Sequence, residues 1–560
     1  MNPTASSEPA AAAGLGADEV GASEMDVSCR LPLLVLLTSA AAWLVIASGF
    51  ALISSLKFHS PDFLAGPAWL TYGRVHPAAS SAFLYGFCLQ SGLGVSLWLL
   101  ARLGRTGLAE GWLVTVGAMF WNVGVTVGVL GVLAGERTGF EALELPGYAT
   151  PMVFVGYLLI GVGGALTFHQ RREPRLYVSQ WFLFAALFWF PWIYSTAQLL
   201  LVTFPVRGVM QSVVAWWYAD NLRFVWLWLA GLGAVFYLVP KLTRRELQNR
   251  NLALFAFWLI LLFGSWGGIP NSAPVPAWMP ALSAVGTVLT TVALLAVGLS
   301  VWKTAPPGSP AGPVTKWPFG VRRQSDLSAV ASAKAEAATA LSAARGVQEA
   351  KRCPSQSGVA PARRSAPARR RAPLATALQS GARENLPLRF VRFGVLAFLV
   401  AGFMRVLGSS LPVSNVTDLT WFGPATDQLN AYGFFAMVVF GAAYGILPQL
   451  MGLEFPWPRL ARAHFWLASL GVVLLAAPLA IAGVLEGLEL RSPDNAFMDV
   501  VKATLPCLRL STMGDLLMAL GHVAFLANLA GLAARFYLAR AASVFSSLTL
   551  DLYKQTGAKP

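Results

Sequence analysis

Five histidines, His59, His76, His169, His464 and His522, are the side chains of this 560-residue sequence best suited to hold a transition metal or pass a proton near neutral pH. They are scattered along the chain. His169 is followed by Gln170, Arg171 and Arg172, a cationic run that suits the carbonyl end of a helix. The four cysteines, Cys29, Cys88, Cys353 and Cys507, show no C-x-x-C or C-x-x-C-H spacing. That argues against a zinc site, a disulfide framework and a covalently attached c-type haem. A second set of polar residues sits inside apolar runs: Asp220 and Arg223 one turn apart, then Arg405, Asp427, Gln428 and Asn430. Ionisable groups are costly in hydrocarbon and mark function by default. These could form an ion-pair network or border an aqueous path.

The elements that position them follow from composition. The chain is 56% hydrophobic and 12% charged, whereas soluble domains carry about 25% charged residues, and a single soluble core stops growing near 250–300 residues. A water-soluble globule and a disordered chain are both excluded. A spanning helix needs about 20 apolar residues. Twelve stretches qualify: 32–56, 77–101, 111–134, 150–168, 180–204, 222–240, 252–269, 279–302, 390–411, 425–449, 463–485 and 513–538. The expected fold is an all-α, polytopic twelve-helix bundle, with spans 1–8 in 32–302 and spans 9–12 in 389–540. Residues 1–31 read as a disordered N-terminal tail and 541–560 as a C-terminal tail.

Arg102, Arg105, Arg171, Arg172, Arg175, Lys241, Arg244, Arg245, Arg250, Arg459 and Arg462 crowd the short loops of one side. Lys57, Arg74, Arg137, Arg207, Arg491, Lys502 and Arg509 are spread over the loops of the other. The positive-inside bias puts the first side, and both termini, in the cytoplasm of a bacterial-type inner (plasma) membrane. Residues 303–388 form a basic insertion on that side, with 14 Lys and Arg against 4 Asp and Glu. It therefore supplies most of the net charge of +15, and nucleic acid is not an expected partner. An Ala-rich helix is expected over 326–350, followed by an Arg- and Pro-rich disordered part. Its arginines would either contact anionic lipid or stay solvated as a linker.

Several motifs resemble subunit I of the haem–copper respiratory oxidases, in particular the cbb-type cytochrome c oxidase branch. Y-G-R-V-H-P-A-A-S-S-A-F-L-Y-G-F (72–87) resembles the segment opening the family's helix 2, and Y-V-S-Q-W-F (177–182) the start of helix 5. W-W-Y-A-D-N (216–221) and F-Y-L-V-P-K (236–241) resemble the frame of helix 6. F-G-A-A-Y-G-I-L-P-Q-L (440–450), H-F-W-L-A-S-L-G (464–471) and F-M-D-V-V-K-A-T (497–504) fit helix 10, helix 11 and the loop after it. Twelve spans with cytoplasmic ends are also what the resemblance implies.

The resemblance further implies haem b and copper, held by six histidines, and this chain has five in all. The family's helix 2 haem ligand falls on Ala79. Its helix 6 copper ligand falls on Asp220, its helix 7 pair near Gly268 and Ile269, and its helix 10 pair on Thr426 and Gln428. The helix 7 tyrosine falls near Leu262. His76, one turn from Ala79, is the single remnant placed to touch a haem; His464 lies in a motif that is structural in the family. Emptying two porphyrin sites would cost about 24 cal/mol per Å³ of residual cavity. The aromatic run 181–192, Phe434, Phe435, Trp258 and Trp266 would either refill that space or belong to an ordinary aromatic-rich bundle, and a lipid or quinone tail is a third way to fill it.

The expected function is therefore that of a cofactor-free, non-catalytic structural or assembly subunit, with neither catalytic residues nor a bound metal. Its partners would be the lipid bilayer and membrane-anchored c-type cytochromes or other respiratory subunits. A catalytic oxidase or nitric-oxide-reductase-like subunit with unusual haem ligation is the alternative. A proton or ion pathway through Asp220 and Asp427 is the third.

Overall fold

A computed structural model describes residues 8–304 and 385–556, with side chains over 25–304 and 385–542. By its contacts the chain divides into two units. The larger, Val20–Thr315 with Leu386–Pro560, carries everything described below except the first turns of the N-terminal helix. The smaller, Met1–Glu19 with Lys316–Asn385, falls almost wholly outside the described residues, as does the helix expected over 326–350.

Among the described residues all regular structure is helical. Eleven helices are long and apolar enough to cross a membrane, and a shorter apolar one, Arg250–Gly264, stands seventh in the series. In chain order they are α1 (Glu8–Leu56), α2 (Tyr72–Gly104), α3 (Gly111–Ala134), α4 (Thr150–His169), α5 (Val178–Thr203) and α6 (Val209–Thr243). Then come α7 (Arg250–Gly264), α8 (Trp278–Thr304), α9 (Leu386–Gly408), α10 (Phe422–Met451), α11 (Pro458–Glu489) and α12 (Phe497–Thr556).

Several boundaries depart from expectation: α6 begins at Val209 and not at 222, and α12 at Phe497 and not at 513, so 497–504, expected in a loop, is helical. The helix α1 begins at Glu8 instead of following an irregular tail through residue 31, because E-P-A-A-A-A-G-L-G-A-D-E-V is rich in strong helix formers. Through the expected C-terminal tail, α12 likewise continues to Thr556. In contrast α7 stops at Gly264, short of the expected 269, where Gly267, Gly268 and Pro270 interrupt the apolar run. Gly268 sits at φ +101°, a conformation open to glycine and strained for other residues.

Burial sorts the helices. The apolar stretches of α2, α6 and α10 are enclosed on nearly all sides, while α4, α5 and α8 turn more than half of theirs outward. Helices apolar all round belong inside, and outward faces bearing Trp112, Phe188, Trp192, Trp258 and Trp302 suit lipid. The helices α3 and α4 meet through glycines, where a Cβ at Gly117 would lie 2.9 Å from the Gly156 carbonyl oxygen, the small-residue contact that lets membrane helices approach closely.

Five helices contain a π-helical turn: Ala82–Leu89 in α2, Gln198–Thr203 in α5, Asn221–Trp226 in α6, Ile260–Gly264 in α7 and Leu429–Ala436 in α10. Such turns are rare and favour functional sites. Those of α2, α6 and α10 begin within a turn of Ala79, Asp220 and Gln428.

A candidate site of ion pairs in the former metal positions

A cavity of about 600 Å³ opens at the end of the bundle opposite the basic loops. His76, Ala79, Asp220, Arg223, Gly268, Ile269, Arg405, Thr426, Asp427 and Gln428 all line it. Ten of the eleven residues singled out from sequence thus gather round one space; Asn430 is the exception.

Two arginines organise the cavity. Arg405, from α9, places Nη2 2.8 and 2.6 Å from the two carboxylate oxygens of Asp220 in α6, and stacks its guanidinium over Phe224 at 4.5 Å. Both partners of this pair are more than nine-tenths buried. Gly267 and Gly268 make the room. A Cβ at Gly267 would strike the Arg405 guanidinium, and one at Gly268 would lie 2.5 Å from the Asp220 Cβ. Arg223 bridges two acids, with Nη1 2.7 Å from Asp427 Oδ2 and Nη2 2.7 Å from Glu141 Oε1. Asn430 lies behind this layer, fully buried. Its Nδ2 donates to the Arg223 carbonyl at 2.7 Å and its Oδ1 accepts from Trp228 Nε1 at 2.7 Å. It clips α10 to the π turn of α6, and borders no cavity.

Sequence reasoning missed four carboxylates. Glu141, Glu144, Asp418 and Asp515 also line the cavity. The first three lie in loops, which a search of the spans passes over, although E-A-L-E (141–144) stands alone in a short loop. Asp515 falls within an expected span and merited the same notice as Asp220. The Arg223 guanidinium holds the Glu141 carboxyl below the usual carboxylate range. Burial pushes Glu144 up to about 8, and its Oε2 accepts a hydrogen bond from Ser81 Oγ at 3.3 Å. Glu144 therefore carries a proton at neutral pH. Burial raises Asp418 as well; its Oδ2 accepts from the Ser272 amide at 3.1 Å.

The donors present do not fit the haem and copper that the resemblance implies. Copper wants imidazoles, and haem iron wants an axial His, Cys, Met or Tyr. Ala79, Gly268 and Ile269 offer no side-chain donor, Thr426 Oγ1 donates to the Phe422 carbonyl at 3.0 Å, and Asp220 faces Arg405 with both oxygens. His76 is stacked on Tyr72, with ring centroids 5.2 Å apart, and its Nδ1 is 3.2 Å from Ser54 Oγ. Among the described residues no group of three His, Cys, Asp or Glu is placed to hold a metal ion.

Deeper in the bundle, rings fill the interior. Phe87 contacts Phe440 at 5.8 Å and Trp226 contacts Phe435 at 6.1 Å, while Phe83 stacks on Tyr432 at the cavity wall with centroids 3.8 Å apart. Gly92 and Gly231 leave space for the Phe435 and Phe434 rings. Of the refilling residues expected from sequence, Phe182, Phe190, Phe434 and Phe435 are buried. Trp181, Phe188, Trp192, Trp258 and Trp266 are exposed on the perimeter instead, because lipid accepts an aromatic face as readily as the core does.

The innermost helices of this polytopic bundle, α2, α6 and α10, thus converge on one cavity. The chain belongs to the family described as Cytochrome C and Quinol oxidase polypeptide I, whose model matches residues 32–517. It is 24% identical over 500 residues to cytochrome c oxidase subunit 1 of Rhodobacter capsulatus, covering 85% of this chain and 79% of that one. It is 21% identical over 488 residues to the cbb3-type cytochrome c oxidase subunit CcoN1 of Stutzerimonas stutzeri, covering 83% and 86%. The fold is similar to that in a cryo-EM structure of a heme-copper terminal oxidase dimer, with TM-score 0.64 at 14% identity over 90% of this chain and 84% of that one.

Proposed function

We propose that this family member is a cofactor-free subunit I homologue, serving as a structural or assembly subunit in a bacterial plasma membrane with both termini in the cytoplasm. The observation that carries the reading is the Arg405–Asp220 pair. Its carboxylate stands at the former copper-ligand position, and its guanidinium sits against the bare backbone of Gly267 and Gly268, at the former histidine pair. A fixed cation there opposes a metal ion electrostatically as well as sterically. The partners this reading suggests are membrane-anchored c-type cytochromes or other respiratory subunits, which would dock on the outer helices. Ala79, Gly268, Ile269, Thr426 and Gln428 then act as lining, and His76 as a hydrogen-bonded wall residue.

An absorption spectrum with metal analysis of the purified full-length protein tests this. The expected result is no Soret band and less than a tenth of an iron or copper per chain. One or two haems per chain would instead support a catalytic subunit with His76 as a ligand. The carboxylates of the cavity keep the proton or ion pathway as a second reading, and liposome flux abolished by Asp220→Asn or Asp427→Asn would favour it.

A further inference from the structure

Six carboxylates and two guanidiniums line the outer cavity. Both arginines are engaged, Arg405 with Asp220 and Arg223 with Asp427 and Glu141. Asp418 and Asp515 remain, and among the described residues neither has an ion-pair partner. Lys57, the chain neighbour of Phe58, gives its ammonium to the Phe63 carbonyl instead. Glu144, also on the cavity wall, is more than nine-tenths buried, and only one of its oxygens, Oε2, is hydrogen-bonded. Two rings go with the unpaired acids. Phe58, just beyond α1, and Trp421, just before α10, both line the cavity and meet with centroids 5.0 Å apart and planes at 83°. Ser55, one turn before Phe58 on the same side of the chain, is 2.7 Å from Thr512 and reaches Asp515. Trp421 follows Asp418 by three residues in a turn pinned at both ends. Asp418 Oδ2 accepts from the Ser272 amide at 3.1 Å, and the Trp421 amide donates to Glu486 Oε2 at 3.0 Å. Within that turn Leu419 is held at φ +62°, a left-handed conformation costly for leucine.

We propose that the mouth of the cavity binds an organic ammonium ion, with its alkyl-substituted nitrogen in the corner of Phe58 and Trp421 and its charge balanced by Asp418 and Asp515. Three features select that chemistry. The surplus of unpaired carboxylates repels an anion and attracts a cation. Perpendicular ring faces attract a cation through their quadrupoles, most strongly one that is weakly hydrated, as alkylated ammonium ions are. A hard inorganic ion instead asks for a cage of converging oxygens, and among the described residues no three His, Cys, Asp or Glu are placed to hold one. The volume of about 600 Å³ lies within the range of small-molecule sites. The unengaged oxygen of Glu144 offers a hydrogen bond to a hydroxyl on the same ligand. Such an ion reaches the outer end of the bundle either as a free solute or as the headgroup of a lipid in the outer leaflet, and the corner recognises the same nitrogen in both. This inference goes beyond the reading of the chain as a subunit without cofactors and does not depend on it.

The test titrates choline calorimetrically into the full-length protein in lipid nanodiscs. In phosphatidylglycerol nanodiscs about one choline per chain should bind saturably, with Kd below about 1 mM. Asp515→Asn, which removes the charge at nearly constant shape, and Trp421→Leu should each weaken binding by roughly tenfold or more. His169→Gln, at a helix end far from the cavity in the chain, should leave it unchanged, and equimolar sodium should not displace the probe. Repeating the titration in phosphatidylcholine nanodiscs separates the two sources. Choline binding lost there identifies a lipid headgroup as the occupant, and binding retained identifies a free solute. Absence of saturable binding in phosphatidylglycerol, displacement by equimolar sodium, or wild-type affinity in Asp515→Asn would overturn the proposal. Asp515→Asn decides the matter should Trp421→Leu fail to fold. The measurement reads neither iron nor copper, so its failure is distinct from a failure of the cofactor-free reading.

Discussion

Two regions of the bundle are filled by opposite means. Near the open end, between α6, α7, α9 and α10, the filling is charge: Arg405 with Asp220, and Arg223 with Asp427 and Glu141. Deeper, between α2, α6 and α10, it is aromatic rings: Phe87 on Phe440, Trp226 on Phe435. The difference follows from access to water. Ion pairs next to an open cavity keep part of their hydration, which offsets the desolvation penalty of bringing charges inside. No such relief exists in the enclosed interior, where dispersion between close-packed rings is the available stabilisation.

The contrast is sharpest in Arg405. Replacing it by Met leaves the Asp220 carboxylate buried without a counter-ion, and removing one partner of a buried pair costs about 3–5 kcal/mol. Arg405→Met should therefore lower thermal stability in detergent strongly, and adding Asp220→Leu should recover most of the loss. A double variant as unstable as the single one would show that the pair's charge is not what matters there. The ring-filled region should respond differently. Phe87→Ala opens a hole beside Phe440 and should cost roughly 2–3 kcal/mol, below the usual range in water because lipid already solvates part of the unfolded apolar surface. No second substitution at a charged residue should rescue it. The smallest effect is the pH dependence of Glu144. Its folded value of about 8 exceeds the ordinary 4.5, so between those values the folded chain holds a proton that the unfolded chain has released, and stability falls as pH rises through the window. Glu144→Gln should flatten the melting temperature between pH 5 and 8.5 and raise it at the upper end. Parallel curves for the two proteins would place that proton elsewhere.

Much of this was legible in the sequence. Hydropathy located the eleven spanning helices and the shorter α7 because each carries a long apolar run, and ten of the eleven residues chosen for their type and position line a single cavity. What escaped had physical causes. The end of α7 falls just before Gly267, Gly268 and Pro270, helix breakers that a search by apolarity alone passes over. Glu141 and Glu144 reach inward from a loop, and loops carry no periodicity from which to infer direction. Trp258 and Trp266 read as core because aromatic residues suit both a core and a lipid-facing surface, so composition alone cannot assign their side.

The left-handed turn at Gly268 also bears on whether a metal ligand could be placed there. An imidazole installed there would hang from a non-helical segment four residues beyond the last turn of α7, with its Cβ driven into Asp220. A single substitution at this position would thus fail before any metal was offered. Building a copper centre here would require extending the helix and dismantling the salt link together.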